Sequence, residues 1–195
     1  MMRIFLAALL GGIAMFIWTS IAHMFLPLGE AGIREIPNES GVLDAMQSNI
    51  GEKSGLYLFP GPGLGPNATR AEKEEAMKHM GEKMAQHPSG IMMYFPAGGR
   101  PITMARWLLV EFGTEFLEAL LVVILLCQTR RATFGARLGF VVLAGILAAI
   151  ATNISYWNWY GFPGVYTVSY MFIQVVGFLC VGLVAALVLK PGAAA

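Results

Sequence analysis

Charged residues are scarce in this chain of 195 residues. Lys and Arg number 13, Asp and Glu number 12, and together they make up 13% of the chain against 56% hydrophobic residues. Typical soluble domains carry about 25% charged residues, so the composition excludes a disordered chain and argues against a water-soluble globule of this size. The net charge of +1 lacks the excess of Lys and Arg that phosphate binding requires. Nucleic acid is therefore not expected as a partner.

Cysteine and catalytic motifs are equally scarce. Cys127 and Cys180 both lie inside apolar runs, which excludes a disulfide framework and a cysteine-based zinc site. The chain lacks Gly-x-Ser-x-Gly and Cys-x-x-Cys, and no Lys-Ser or Lys-Thr follows the Gly-rich segment 60–66. The sequence therefore predicts no catalytic residue and requires no cofactor, and an enzyme is the less favoured class.

Long apolar runs are what the chain has in abundance. Four of them reach the roughly 17–25 residues that cross a membrane as a helix, and a spanning segment must satisfy its own backbone hydrogen bonds. We therefore predict four transmembrane helices, at residues 4–28, 104–128, 138–158 and 165–189. A signal peptide is the alternative for the first run, because Ser20-Ile21-Ala22 resembles a cleavage site, but the run is longer than a typical signal core.

Basic residues predict the orientation of these helices. Those at the ends of the runs are Arg3, Arg130, Arg131, Arg137 and Lys190. The positive-inside rule places both termini, the loop 129–137 and the tail 190–195 in the cytoplasm. The segment 29–103 and the turn 159–164 then face outward.

These features together predict the fold class. We expect an all-α integral membrane protein of a bacterial cytoplasmic (inner) membrane. It is a four-transmembrane-helix bundle with a small α+β extracytoplasmic domain inserted between helices 1 and 2.

Local signals predict an ordered outer segment. Thr69 and Glu72 have the spacing of a capping box, which indicates a helix over residues 70–86. A weaker helix is predicted over 38–50. Two apolar runs of similar pattern predict strands that pair with each other on either side of the strong helix. These runs are residues 54–61 and 89–98.

Three acids inside the second predicted span are the most informative feature. Glu111, Glu115 and Glu118 are spaced i, i+4, i+7 and so share one face of a helix. A charged acid in hydrocarbon costs several kcal/mol or more, so this face must turn into the bundle and meet a proton, a cation, a basic side chain or a ligand. Polar residues of the other spans complete a candidate ligand or cation pocket that is open outward and closed toward the cytoplasm. They are His23, Asn153, Tyr170 and Gln174.

A metal ion is one candidate occupant of this pocket. His23 with Glu111 and Glu115 offers ligands that suit a divalent transition metal, whereas the Glu-x-x-His pairs of a di-iron bundle are missing. A weaker metal candidate lies on the outer helix, where thioethers would select Cu(I), although methionines at this spacing are typical of an apolar helix face. Its residues are Met77, Met80 and Met84.

Small residues four apart occur on three of the predicted spans. Such pairs allow close helix contacts, either within one bundle or at an interface with a second copy or a protein partner. The pairs are Ala7/Gly11, Ala8/Gly12, Ala144/Ala148, Gly145/Ala149 and Gly182/Ala186.

Two functions follow as hypotheses. The first is a non-enzymatic accessory or interaction subunit, surrounded by membrane lipid, that docks a partner through its outer domain and small-residue faces. The second is a carrier, sensor or membrane enzyme that binds a cation, metal or small solute in the carboxylate pocket. Because no complete catalytic set or polar path through the membrane is visible, the sequence favours the first.

Overall fold

The structure is a computed structural model that describes residues 1–130 and 132–189. Arg131 and the predicted tail 190–195, with Lys190, lie outside the described residues. Within the described ranges the chain is mostly helical, with six helices and a two-stranded sheet. The elements are α1 (Met2–Met24), α2 (Glu39–Ile50), β1 (Gly55–Phe59), α3 (Arg70–Gln86), β2 (Gly90–Tyr94), α4 (Met104–Cys127), α5 (Phe134–Tyr160) and α6 (Gly164–Val188).

The chain divides into two compact units. The first unit combines residues 1–34 with the chain from residue 103 onward, and it contains α1, α4, α5 and α6. The second unit, residues 35–102, contains α2, α3 and the sheet. The long helices and the mixed α and β segment thus belong to different units.

Three helices in the described part of the chain are long and apolar enough to cross a membrane, which indicates a membrane protein. They are α1, α5 and α6, with 23, 27 and 25 residues. Helix α4 has 24 residues, but Arg106 and its three glutamates make it more polar. Length and apolarity alone therefore support three of the four predicted spans.

Two helix ends differ from the ends of the apolar runs. Helix α1 ends at Met24 although the run continues to residue 28, because Pro27 lacks a backbone N–H and disfavours helical geometry in the residue before it. Helix α5 begins at Phe134, since the Thr133 hydroxyl caps it by accepting a hydrogen bond from the backbone N–H of Ala136 at 3.2 Å. The connection between α4 and α5 is correspondingly shorter than the predicted loop 129–137.

An apolar core joins the four helices of the first unit at one end. Helix α6 packs against α1 and α5, and α1 also packs against α4, whereas α4 touches α5 and α6 only slightly. The helices therefore follow the order α4–α1–α6–α5. The core takes residues from the first two thirds of α1, the first half of α5 and the second halves of α4 and α6, with Leu189 just beyond α6: Ala7, Met15, Ala119, Val122, Val123, Leu126, Val141, Phe178, Val181, Ala185 and Leu189.

Glycines lie where the helices of this unit approach most closely. A Cβ atom on Gly12 would lie 2.9 Å from the Phe116 Cα of α4, and one on Gly145 would lie 2.4 Å from the Phe178 Cβ of α6. Gly182 is likewise enclosed by side chains of α5. These predicted small-residue faces therefore contact helices of the same chain.

Arg137 connects α5 to the end of α6. It is buried, and its guanidinium donates a hydrogen bond to the Leu189 carbonyl just beyond α6. A cation at this position satisfies a carbonyl that the helix leaves unpaired, and it complements the negative end of the helix dipole. A residue predicted only as a loop charge thus also holds two helices together.

The second unit contains the predicted capping box. The backbone N–H of Glu72 donates to Thr69 Oγ1 at 3.3 Å, and the backbone N–H of Thr69 donates to Glu72 Oε2 at 2.7 Å. The hydrogen bonds from the Thr69 backbone and hydroxyl hold the pKa of Glu72 below its ordinary value, since they stabilise the carboxylate form. The predicted helices over 70–86 and 38–50 are confirmed as α3 and α2.

The predicted strand pair is also confirmed. Strands β1 and β2 pair antiparallel, with Leu56 opposite Met93 and Leu58 opposite Ile91. These four side chains share one face, here called the open sheet face, because alternate residues of a strand point the same way. Leu56 is 65% exposed and Met93 is 70% exposed. On the other face Tyr94 is buried, and its hydroxyl donates to the backbone carbonyl that follows α2 at 2.9 Å.

Removing the cap of α3 is expected to destabilise this helix locally. Thr69→Ala deletes the hydroxyl that accepts from the backbone N–H of Glu72, and loss of such a cap typically costs about 1 kcal/mol. Amide hydrogen exchange within α3 of the intact protein measures the effect, with Thr69→Ser as the control that keeps the hydroxyl. Unchanged exchange in Thr69→Ala would contradict the prediction.

Candidate functional site

A cavity of about 730 Å³ lies in the first unit, beyond the apolar core. It takes residues from the second halves of α1 and α5, the first half of α6 and the first two thirds of α4. The structure brings all seven predicted pocket residues to this one cavity. They are His23, Glu111, Glu115, Glu118, Asn153, Tyr170 and Gln174.

The three acids of α4 differ in their exposure. Glu111 is exposed and Glu118 is half-buried, whereas Glu115 is only 4% exposed. Thr19 on α1 lines the same cavity as Glu115. The Oε2 atom of Glu115 is buried and has no hydrogen-bond partner among the described residues. The most buried acid of the cavity therefore has a carboxyl oxygen that the described residues leave without a hydrogen bond.

His23 is held by its own helix and by the loop that follows it. Its Nδ1 lies 2.9 Å from the Thr19 carbonyl oxygen, so Nδ1 carries the proton and donates. The imidazole meets the Tyr170 ring edge to face, with centroids 5.7 Å apart. Gly29 packs so closely that a Cβ there would lie 2.5 Å from His23 Cδ2, and the Tyr170 hydroxyl donates to the Gly29 carbonyl at 3.4 Å. This packing fixes both rings at the cavity.

Asn153 and Gln174 form the neutral polar part of the lining. Asn153 is buried, and its amide donates to the Ala149 carbonyl at 3.0 Å and to Gln174 Oε1 at 3.4 Å. Both residues belong to the α5–α6 pair, whereas all three acids belong to α4. The lining is therefore negative on α4 and uncharged on the α5–α6 pair.

Comparison with known proteins adds no relative to this picture. No protein-family model, no curated protein and no solved structure matches the chain. The chemistry of the cavity is therefore argued from its own lining. Three carboxylates and one imidazole line it, while the described lining contains no Lys or Arg, so the cavity favours positive charge.

The predicted metal ligands do not form a coordination set. Within the residues described, no three His, Cys, Asp or Glu side chains are placed to hold a metal ion. His23, Glu111 and Glu115 share the cavity without such an arrangement. The methionines of the weaker candidate, Met77, Met80 and Met84, lie on α3 in the second unit, where Met77 and Met84 are exposed.

Sequence reasoning named the polar lining but missed the apolar walls. The walls are Met15, Phe16, Met104, Leu108 and Ile173. Helical spacing offered a signal, since Phe16 lies three residues before Thr19 and Leu108 three residues before Glu111, which places each pair on one helix face. Ile173 also fixes α1 to α6, because its carbonyl accepts a hydrogen bond from Trp18 Nε1 at 2.8 Å.

Proposed function

We propose that this protein binds a positively charged solute in the α4 cavity and serves as a membrane carrier or sensor for it. The observation that carries the proposal is the buried, unpartnered Oε2 of Glu115 in a cavity lined by two further acids. An unpaired polar atom away from water costs about 1–3 kcal/mol, and more when it is charged. A cation in the cavity would remove this cost.

A purely structural role for the three acids fits the geometry less well. A polar network that only fixes helix register stabilises a bundle when every member is satisfied. Glu115 is the most buried of the three acids, and its Oε2 is both buried and without a hydrogen-bond partner among the described residues. The lining also lacks the Lys or Arg that a structural ion pair would need.

We further propose that α4 is the fourth transmembrane helix. It packs along α1, which is itself apolar enough to cross a membrane. Its acids line the cavity, while its apolar side chains Leu109, Leu117 and Leu121 are exposed as lipid-facing residues would be. The positive-inside rule then places both termini in the cytoplasm and residues 35–102 outside, which suits a bacterial inner membrane.

Cysteine labelling tests this topology. The native thiols Cys127 and Cys180 are first replaced by Ala, and a single cysteine is introduced by Ser89→Cys or Thr133→Cys. A membrane-impermeant maleimide applied to intact cells is expected to label position 89 and not position 133, because an odd number of spans separates them. Labelling of both positions from the same side would contradict the four-span arrangement.

Binding of cations tests the proposed function. Purified protein in lipid nanodiscs is heated with Na⁺, K⁺, Mg²⁺, Ca²⁺, Zn²⁺ or small organic ammonium ions. Since a ligand at 100 times its Kd stabilises by about 2.7 kcal/mol, at least one cation is expected to raise the Tm. Glu115→Gln should abolish this increase, because the amide keeps the shape and loses the charge. The matched control is Glu52→Gln, at an exposed acid of the second unit, and it should behave as wild type.

Two results would contradict the cation pocket. One is that no cation raises the Tm of the wild-type protein. The other is that a cation stabilises the Glu115→Gln variant as much as it stabilises the wild type.

The open sheet face favours a second candidate, the non-enzymatic interaction subunit. Leu56, Leu58, Ile91 and Met93 form an uncharged surface on the face of the two-stranded sheet opposite the buried Tyr94, and exposed apolar patches are typical of interaction sites. An uncharged apolar face is complementary to itself, so a second copy of the chain is the partner that we propose for it.

Cross-linking through this face tests the second candidate. Met93→Cys in a background free of native cysteines is expected to give a disulfide-linked dimer under mild oxidation, whereas Gln86→Cys at the end of α3 is not. Equal dimer yields at the two positions would contradict a specific interface.

A further inference from the structure

The size of the α4 cavity bears on the kind of cation that it holds. At about 730 Å³ the cavity falls within the range of small-molecule sites, roughly 300–1,000 Å³. A bare metal ion instead needs several ligands at about 2.0–2.6 Å. No group of His, Cys, Asp and Glu with that arrangement occurs in the part of the chain that the structure describes. The cavity therefore suits a ligand that is larger than a single metal ion.

The apolar walls of the cavity indicate the chemistry of this larger ligand. Phe16 lies on α1, Leu108 on α4 and Ile173 on α6, so three different helices contribute apolar surface to the lining. Burial of apolar ligand surface is worth about 25 cal/mol per Å². A hydrated inorganic cation gains nothing from such walls, whereas an alkyl or aryl group does.

The position of the unpartnered oxygen of Glu115 indicates the charged group of the ligand. Glu115 lines the cavity, and its Oε2 is buried with no partner among the described residues. An ammonium ion beside this carboxyl would supply charge-assisted hydrogen-bond donors. The exposed Glu111 lines the same cavity and adds negative charge that attracts a cation toward it.

We infer that the occupant is an organic ammonium ion with an apolar body, its charged head on Glu115 and its body against Phe16, Leu108 and Ile173. This inference rests on the proposed function, because it specifies the cation that the same pocket takes. It assigns to the pocket a ligand class that carries one charged nitrogen and several carbons, and it excludes bare metal ions as the preferred occupants.

A matched set of probes tests the inference. The n-hexylammonium ion carries both the charge and the apolar body, 1-hexanol carries the body alone, and Na⁺ and Mg²⁺ carry the charge alone. Each is titrated by equilibrium dialysis into nanodiscs that contain the full chain, and binding to empty nanodiscs is subtracted. We expect hexylammonium to bind, and Glu115→Gln to weaken its affinity at least about tenfold while Glu52→Gln leaves it unchanged. Binding of 1-hexanol should be weak and indifferent to Glu115→Gln.

Chain length provides a second measurement that needs no variant. Each added methylene from butylammonium to hexylammonium is expected to tighten binding to the wild-type protein by about fourfold, in proportion to the apolar area buried. Equal affinities along the series would overturn the inference that the ligand has an apolar body. This result uses only the wild-type protein, so it stands even if Glu115→Gln fails to fold.

The outcomes separate this inference from the proposed function. If Na⁺ or Mg²⁺ binds in a manner that Glu115→Gln abolishes and hexylammonium does not bind, the organic ligand is overturned and the cation pocket stands. If no cation binds, or if Glu115→Gln changes no affinity, both are overturned. If 1-hexanol binds as tightly as hexylammonium, the cavity is an apolar site that does not recognise charge. This result would overturn both the cation pocket and the organic ammonium ligand.

Discussion

Gly145→Ala is expected to weaken the helix bundle, whereas Gly139→Ala on the same helix is expected to leave it intact. A Cβ at position 145 would lie 2.4 Å from Phe178 Cβ and 2.7 Å from Phe178 Cγ. Phe178 is buried in the apolar core, so its ring cannot move aside without disturbing neighbouring side chains. Overpacking of this kind typically costs about 1–3 kcal/mol.

Gly139 is the matched control for this substitution. A Cβ there meets nothing within 4 Å, so alanine adds no clash and gains up to about 1 kcal/mol of helix propensity. Reversible denaturation in mixed micelles, followed by circular dichroism, compares the two variants with the wild type. Equal stability of Gly145→Ala and Gly139→Ala would show that α5 and α6 are not packed as closely as the structure places them.

The helices and strands were largely predictable because their signals are local. Apolar length marks a spanning helix, and the capping box at Thr69 and Glu72 satisfies backbone donors within four residues. The two strands were recognisable from their shared pattern. Where the ends differ, the cause is also local: Pro27 stops α1 early, and Thr133 starts α5 early.

The order of the helices could not be predicted in the same way. Small residues occur on α1, α5 and α6, and their spacing says only that something packs closely there. In the structure Gly12 of α1 packs against α4, and Gly145 of α5 packs against α6. Such a choice between partners depends on the fit of whole helix surfaces, which a single sequence does not specify.

The polar residues of the cavity were predictable from the sequence. The identity of the buried oxygen that lacks a hydrogen bond was not. Depth along the predicted spans puts His23, Glu111 and Tyr170 at similar levels, and polar residues in a spanning helix are expected to turn inward. Which oxygen of which acid lacks a partner depends on side-chain contacts between α1 and α4. Thr19 of α1 and Glu115 of α4 line the same cavity, yet Glu115 Oε2 lacks a hydrogen-bond partner among the described residues.

Glu115→Met is expected to raise the stability of the empty protein while abolishing cation binding. Replacing buried charged groups by apolar residues of similar volume often stabilises a protein, by about 1–4 kcal/mol, because the desolvation penalty disappears. The methionine side chain fills the space of the glutamate without a charge. A gain of stability with a loss of binding is typical of residues kept for function.

The opposite sign would identify a structural acid. If Glu115 contributed net stability to the packing of α1 on α4, Glu115→Met would lower the free energy of unfolding. Denaturation in mixed micelles without added cations measures the sign. Glu52→Met, at an exposed acid of the second unit, is the control and should change stability by less than about 0.5 kcal/mol. A stabilised Glu115→Met variant that no longer responds to cations would assign the acid to the ligand. The loss of binding separates the two roles, because removal of a buried polar group that only fixes helix register can also raise stability.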